Sequence, residues 1–203
     1  LSAIEAAHKV GVIHRDLKPD NIVLATVTDG KKEVERVKVV DFGVARLKDD
    51  PATDTGQALG TPVYMAPEQA QGSDIDERVD IYGAGTVLYE LLTGRAPFTP
   101  ADTPHANLAV LAKIMTSDPP SVRERCPELS PALEAVVERA MCRDREQRFA
   151  TASDFAAALV AAPGLTSTAQ ADTAPQAPTT TTTVPDDALP TAQIGTGVVW
   201  DQV

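Results

Sequence analysis

The feature that most narrows the folds open to this chain is a pair of apolar runs enclosed by polar motifs. Ile22-Val23-Leu24 and Val37-Lys38-Val39-Val40 have strand character, and Asp29-Gly30 between them is a favoured two-residue hairpin turn. Residues 22–40 therefore read as a β-hairpin with a charged tip carrying Lys31, Lys32, Glu33, Glu35 and Arg36. His14-Arg15-Asp16-Leu17-Lys18-Pro19-Asp20-Asn21 stands immediately before the hairpin, and Asp41-Phe42-Gly43 immediately after it. A hairpin returns the chain to its starting point. Asn21 and Asp41, 20 positions apart in sequence, are expected side by side at its open end.

Around this hairpin the pattern is helical, so the expected fold class is mainly α with one small β-hairpin. Leu1 to Val10 reads as a helix with Ile4, Ala7 and His8 on one face, ended by Gly11. Residues 43–76 lack periodicity and are rich in Asp, Thr, Gly, Gln and Pro, as expected of a long loop that is either functional or disordered. Asp80 to Thr93 is nearly all apolar, which predicts a helix buried on all sides. Its Gly83-Ala84-Gly85 has no third glycine at phosphate-loop spacing and reads as a site of close packing. Gly195-Thr196-Gly197 is no phosphate loop either. Further helices are expected over 105–117, closed by Pro119-Pro120, and from the Ser130-Pro131 start to Cys142. A last helix, opened by Thr151 and Asp154 at capping-box spacing, runs to Ala162.

At Pro163 the composition changes. Residues 163–203 hold ten Thr and five Pro, no Lys or Arg, and a run Thr179 to Thr183. So little apolar area cannot offset the entropy of ordering the chain, and the segment is expected to be a disordered linker after a domain at 1–162. The balance of 18 basic and 29 acidic side chains, net −11, argues against a nucleic acid or an anionic membrane as the main partner. Cys126 and Cys142 are too few and too isolated for a disulfide framework or a zinc site. His8 and His105 read as surface or packing residues. A reducing, cytoplasmic setting fits, and no apolar run approaches the roughly 20 residues of a spanning helix.

Three motifs in order carry a family resemblance: His14 to Asn21, then Asp41-Phe42-Gly43, then Ala66-Pro67-Glu68. In order and spacing they resemble the catalytic loop, metal-binding loop and end of the activation segment of protein kinases. Lys18, two residues after Asp16, matches the serine/threonine form, and the Ala/Thr/Pro-rich tail after Pro163 resembles the juxtamembrane linkers of bacterial-type kinases. The resemblance implies transfer of the γ-phosphoryl group of ATP to Ser or Thr hydroxyls of protein substrates, with Mg²⁺ as the metal. Asp16 would be the base that accepts the acceptor's proton, a role worth about 10²–10⁴-fold. Lys18 would offset charge on the transferred group and contact the nucleotide. Asn21 and Asp41 would supply oxygen ligands, which suit a hard cation such as Mg²⁺.

Regulatory and structural roles are implied by the same resemblance. Arg15 would pair with a phosphorylated activation loop, with Thr53 and Thr55 as the phosphosites. Thr61 would bond near Asp16 and Lys18. His14 and Phe42 would be packing residues, Asp80 an anchor for the catalytic-loop backbone, and Glu68 with Arg148 a buried ion pair. A kinase dimer for trans-phosphorylation is an implied partner.

The glycine-rich loop and the strand lysine of the family do not occur in this sequence. The chain starts at Leu1, within a helical pattern. It is therefore expected to be the C-terminal lobe of a kinase without its N-lobe, inactive by itself. The alternative reading is a non-catalytic, truncated lobe that binds proteins. A membrane anchor in the full-length protein would lie beyond Val203.

Overall fold

The computed structural model describes residues 1–29, 32–42, 62–100 and 105–163. All of them belong to one unit, Leu1–Ser167. The expected linker from Gly164 onward lies outside them, as do Gly43, Thr53, Thr55 and Thr61. No described helix is long and apolar enough to cross a membrane.

The first helix, α1 (Ser2–Lys9), ends in a motif written in its sequence. Gly11 takes φ +75°, its N–H bonds to the His8 carbonyl at 2.9 Å, and the Val12 N–H reaches back to Ala7 at 2.9 Å. This is a Schellman ending, and its left-handed position is why glycine stands there. The chain then runs without regular structure to a 3₁₀ turn at Pro19–Asn21 and enters β1 (Ile22–Asp29), which pairs antiparallel with β2 (Lys32–Val39). The register joins Ile22 to Val39 and Asp29 to Lys32. The hairpin is as expected, but its ladder includes Asp29, which therefore belongs to the strand and not to an Asp29-Gly30 turn. Leu24 stands opposite Val37 and Val27 opposite Val34, apolar cross-strand pairs that favour this register.

The stretch expected to be one long loop contains ordered structure. A 3₁₀ turn at Pro62–Tyr64 leads into α2 (Pro67–Ala70), which is too short to show a periodicity. Next comes α3 (Arg78–Thr93), the central element, with α4 (Ala106–Thr116), α5 (Val122–Arg125), α6 (Pro131–Ala140) and α7 (Ala152–Ala161) after it. Side-chain oxygens cap three of these: Ser121 on α5, Ser130 on α6 and Thr151 on α7. α3 packs on both α5 and α6, and α1 lies against α7.

Two glycines allow α3 to be approached so closely. A Cβ on Gly85 would sit 2.9 Å from the Ala140 Cβ of α6, and one on Gly83 would sit 3.1 Å from the Leu17 Cβ. The first contact brings α6 onto the core helix; the second seats the polar loop before β1. Tyr82, Tyr89, Val137 and Met141 form one side of the core. Ile81, Phe149 and Phe155 form another, with the two phenylalanine rings stacked at 5.2 Å. Each such side chain contributes about 1.5–3 kcal/mol by leaving water.

α3 is not buried on all sides. Leu91, in its last turn, is 77% exposed, because no described element packs over it. The ribbon is exposed as well: Leu24 and Val37, opposite each other, are 65% and 63% exposed.

Candidate active site

The root of the ribbon gathers the polar motifs. The Val40 N–H bonds to the Asn21 carbonyl at 2.9 Å, so the residues flanking β1 and β2 meet. Lys18, Asp20, Asn21 and Asp41 then line one open cleft of about 760 Å³, with Tyr64 and Glu90 among its other walls.

The Asp16 carboxylate is accessible, with its side chain 60% exposed. Lys18 donates to its Oδ2 at 2.8 Å. The Asn21 Nδ2 donates to the Asp16 carbonyl at 2.8 Å and to Oδ2 at 3.3 Å. An exposed pair of this kind is worth about 0–1 kcal/mol to the fold, so its effect is to orient the carboxylate. With Nδ2 directed at Asp16, Oδ1 is the atom by which Asn21 can hold a cation. Asp41 has φ +55°, a left-handed conformation that aspartate tolerates better than most residues. Asn21 and Asp41 both line the cleft and could offer oxygen donors, the kind that Mg²⁺ takes. No cluster of three or more His, Cys, Asp or Glu at metal-binding spacing occurs among the described residues.

The loop carrying Asp16 is fixed from beneath. Asp80 is 1% exposed. Its Oδ2 accepts the His14 N–H and its Oδ1 the Arg15 N–H, both at 2.8 Å. His8 donates from Nε2 to Oδ2 at 2.8 Å. Reading His8 as a surface or packing residue is thus too weak, because it completes the anchor from the buried face of α1. His105 fits that reading, exposed at the start of α4.

His14 is fully buried. Its Nε2 meets the Val40 carbonyl at 2.9 Å, which makes Nε2 the donor and leaves Nδ1 to accept the Asp16 N–H at 3.3 Å. Its ring packs on Phe42 with centroids 4.8 Å apart.

Glu68 and Arg148 form a buried bidentate pair, with Nη1–Oε1 at 2.7 Å and Nη2–Oε2 at 2.8 Å. The remaining guanidinium hydrogens go to the carbonyls of Cys142, Arg78 and Arg143, so all five donors are used. α2 is thereby locked to the turn before α7.

Two further contacts carry no sequence signature. Tyr64 donates to Glu90 at 2.5 Å across the cleft, and burial together with that carboxylate raises its phenol above the ordinary range. Gln69 bridges the Ala66 N–H and the Arg15 carbonyl. Its spacing from Ala66 is that of a capping box, but an alanine at the cap position conceals it.

A family model described as a protein kinase domain matches residues 1–160. The chain is 45% identical over 161 residues to the serine/threonine-protein kinase PknJ of Mycobacterium tuberculosis, covering 79% of this chain and 26% of that protein. It is 43% identical over 170 residues to the serine/threonine-protein kinase pkn3 of Myxococcus xanthus, covering 79% and 29%. Among solved structures it resembles the PknI kinase domain of Mycobacterium tuberculosis, with a TM-score of 0.54 and 28% identity over 78% of this chain and 50% of that one. The chain spans about a quarter of the length of these curated relatives.

Proposed function

The chain belongs to the protein kinase domain family in its bacterial serine/threonine form, and on that premise we propose that its protein transfers the γ-phosphoryl group of ATP to Ser or Thr hydroxyls of other proteins. The observation that carries this reading is the accessible Asp16 carboxylate, oriented by Lys18 at 2.8 Å and by Asn21, at the root of a ribbon that also presents Asp41.

In this reading Asp16 accepts a hydrogen bond from the incoming hydroxyl, aims its oxygen and takes its proton as the new bond forms. Lys18 turns from Asp16 toward charge developing on the transferred group. Such positioning and charge compensation are most of what phosphoryl transfer asks of a protein. Asn21, through Oδ1, and Asp41 would hold Mg²⁺, which when bound neutralises the nucleotide phosphates. We read residues 1–162 as the family's C-terminal lobe and residues 163–203 as a linker. Arg15 is assigned to a phosphorylated activation segment, with Thr53 and Thr55 as its phosphosites and Thr61 beside the base.

The test is incorporation of labelled phosphate from ATP into Ser/Thr peptides by the full-length protein and its Asp16→Asn variant. Loss of the base is expected to lower the rate by about 10²-fold or more. Equal labelling by both proteins would remove Asp16 from this role. No labelling by either would favour the alternative of a protein-binding module.

A further inference from the structure

Gln69 lies in α2, and both atoms of its amide are engaged. Oε1 accepts the Ala66 N–H at 3.0 Å, and Nε2 donates to the Arg15 carbonyl at 2.8 Å. Arg15 is in an unusual state for a large side chain, with φ +68°. A non-glycine residue stays in that region only where its surroundings over-determine it.

Those surroundings can be named. The Arg15 N–H is held by the Asp80 Oδ1 and its carbonyl by Gln69. The N–H at the other end of that peptide belongs to Asp16 and meets the His14 Nδ1 at 3.3 Å. The peptide plane joining Arg15 to Asp16 is thus pinned at its oxygen and at its hydrogen, and it sets the direction in which the Asp16 side chain leaves the backbone. Asp80 comes from α3 and His14 from the loop itself. Gln69 comes from the segment Ala66–Ala70, which the buried Glu68–Arg148 pair ties to the helical core.

We propose that Gln69 is a positioning residue: its amide fixes the Arg15–Asp16 peptide and so aims the Asp16 carboxylate, making the geometry of the base depend on the docking of α2. Without the donor, the Arg15 carbonyl turns to water and the peptide relaxes toward a less strained φ. Asp16 then swings away from Lys18 and from the acceptor hydroxyl. This proposal rests on the reading of Asp16 as the base.

The experiment compares the full-length protein with its Gln69→Leu, Gln69→Glu and Asp16→Asn variants. Gln69→Leu removes both polar atoms at similar volume. It is expected to lower kcat about tenfold or more, as misaiming by a fraction of an ångström does, with the KM for ATP within about twofold. Hydrogen exchange is expected to quicken over residues 12–18 and to stay unchanged in α3. Gln69→Glu keeps an acceptor for Ala66 but, ionised, offers Arg15 no donor. Its kcat relative to wild type at the same pH is expected to be low near about pH 8 and to recover only as pH falls toward about 4.3, where half of an ordinary glutamate carboxyl is protonated and can donate again.

Wild-type kcat in both Gln69 variants beside an inactive Asp16→Asn protein would overturn the proposal and leave the base standing. A fall in kcat that tracks a fall in melting temperature, with no acid recovery in Gln69→Glu, would overturn it as well. Wild-type kcat in Asp16→Asn would instead overturn the reading on which the proposal rests.

Discussion

Asp80 and Arg148 show how single buried charges organise polar chain around them. Asp80 takes N–H groups from His14, Arg15 and His8, and no solvent competes for its oxygens. Asp80→Asn replaces one acceptor with a donor and leaves buried groups unmatched, each costing about 1–3 kcal/mol. Urea denaturation should show a midpoint lowered accordingly, and an unchanged midpoint would contradict the anchor. Arg148→Ala strands the Glu68 carboxylate in the core and is expected to cost about 3–5 kcal/mol, since an uncompensated buried charge is worse than none. The check is thermal unfolding, with Glu68→Gln/Arg148→Met as the milder double variant. Both positions lie outside the three ordered motifs, and the sequence indicates them only through the family resemblance that those motifs carry. His8 occupies the face of α1 that its spacing indicates, but nothing local shows that a carboxylate 72 positions away waits for it.

At the level of elements, α3 is evident from its apolar composition and its glycines from their unusual place inside a helix. Gly85→Ala should raise intrinsic helix propensity by about 1 kcal/mol. It also drives a methyl to 2.9 Å from the Ala140 Cβ and 3.0 Å from the Met141 Cγ. Overpacking of that kind costs about 1–3 kcal/mol, so net destabilisation is expected. A gain in melting temperature would mean that α6 can retreat at no cost. The hairpin is legible and its register is not, because Asp-Gly is a local preference while the ladder is favoured by Leu24–Val37 and Val27–Val34 pairing. α2 and α5, at four residues each, escape any periodicity argument. They exist through caps and tertiary ties, and Gln69, the residue that links α2 to the polar loop, is hidden with them.

Across the unit Leu1–Ser167, the three tyrosines of the sequence offer a single probe of packing. Tyr64, Tyr82 and Tyr89 all have raised phenol pKa values, chiefly through burial, with Glu90 adding to the effect at Tyr64. A value raised in the folded state means that stability is intact below the ordinary phenol range near 10 and is lost as pH climbs above it. Denaturant midpoints should therefore fall between about pH 9 and pH 11, and phenolate absorbance should appear only as the protein unfolds. Tyrosinate signal from native protein near pH 10.5 would show that these rings are wetter than their contacts imply. Net acidity says nothing about this packing.

The ribbon carries a different kind of consequence. The residues at its base are fastened by the Val40 N–H bond to the Asn21 carbonyl, and beyond the base most of the described strand residues are exposed. Separation along the chain between the two groups of donors is thus decoupled from their separation in space. Inserting residues in matched pairs, one on each strand near the tip, would lengthen the arm without moving Asn21 or Asp41. A single insertion in one strand would have to be absorbed as a bulge or would turn every side chain beyond it to the opposite face. Counting residues between the motifs is therefore a poor guide to whether such a site is whole; parity is the better one.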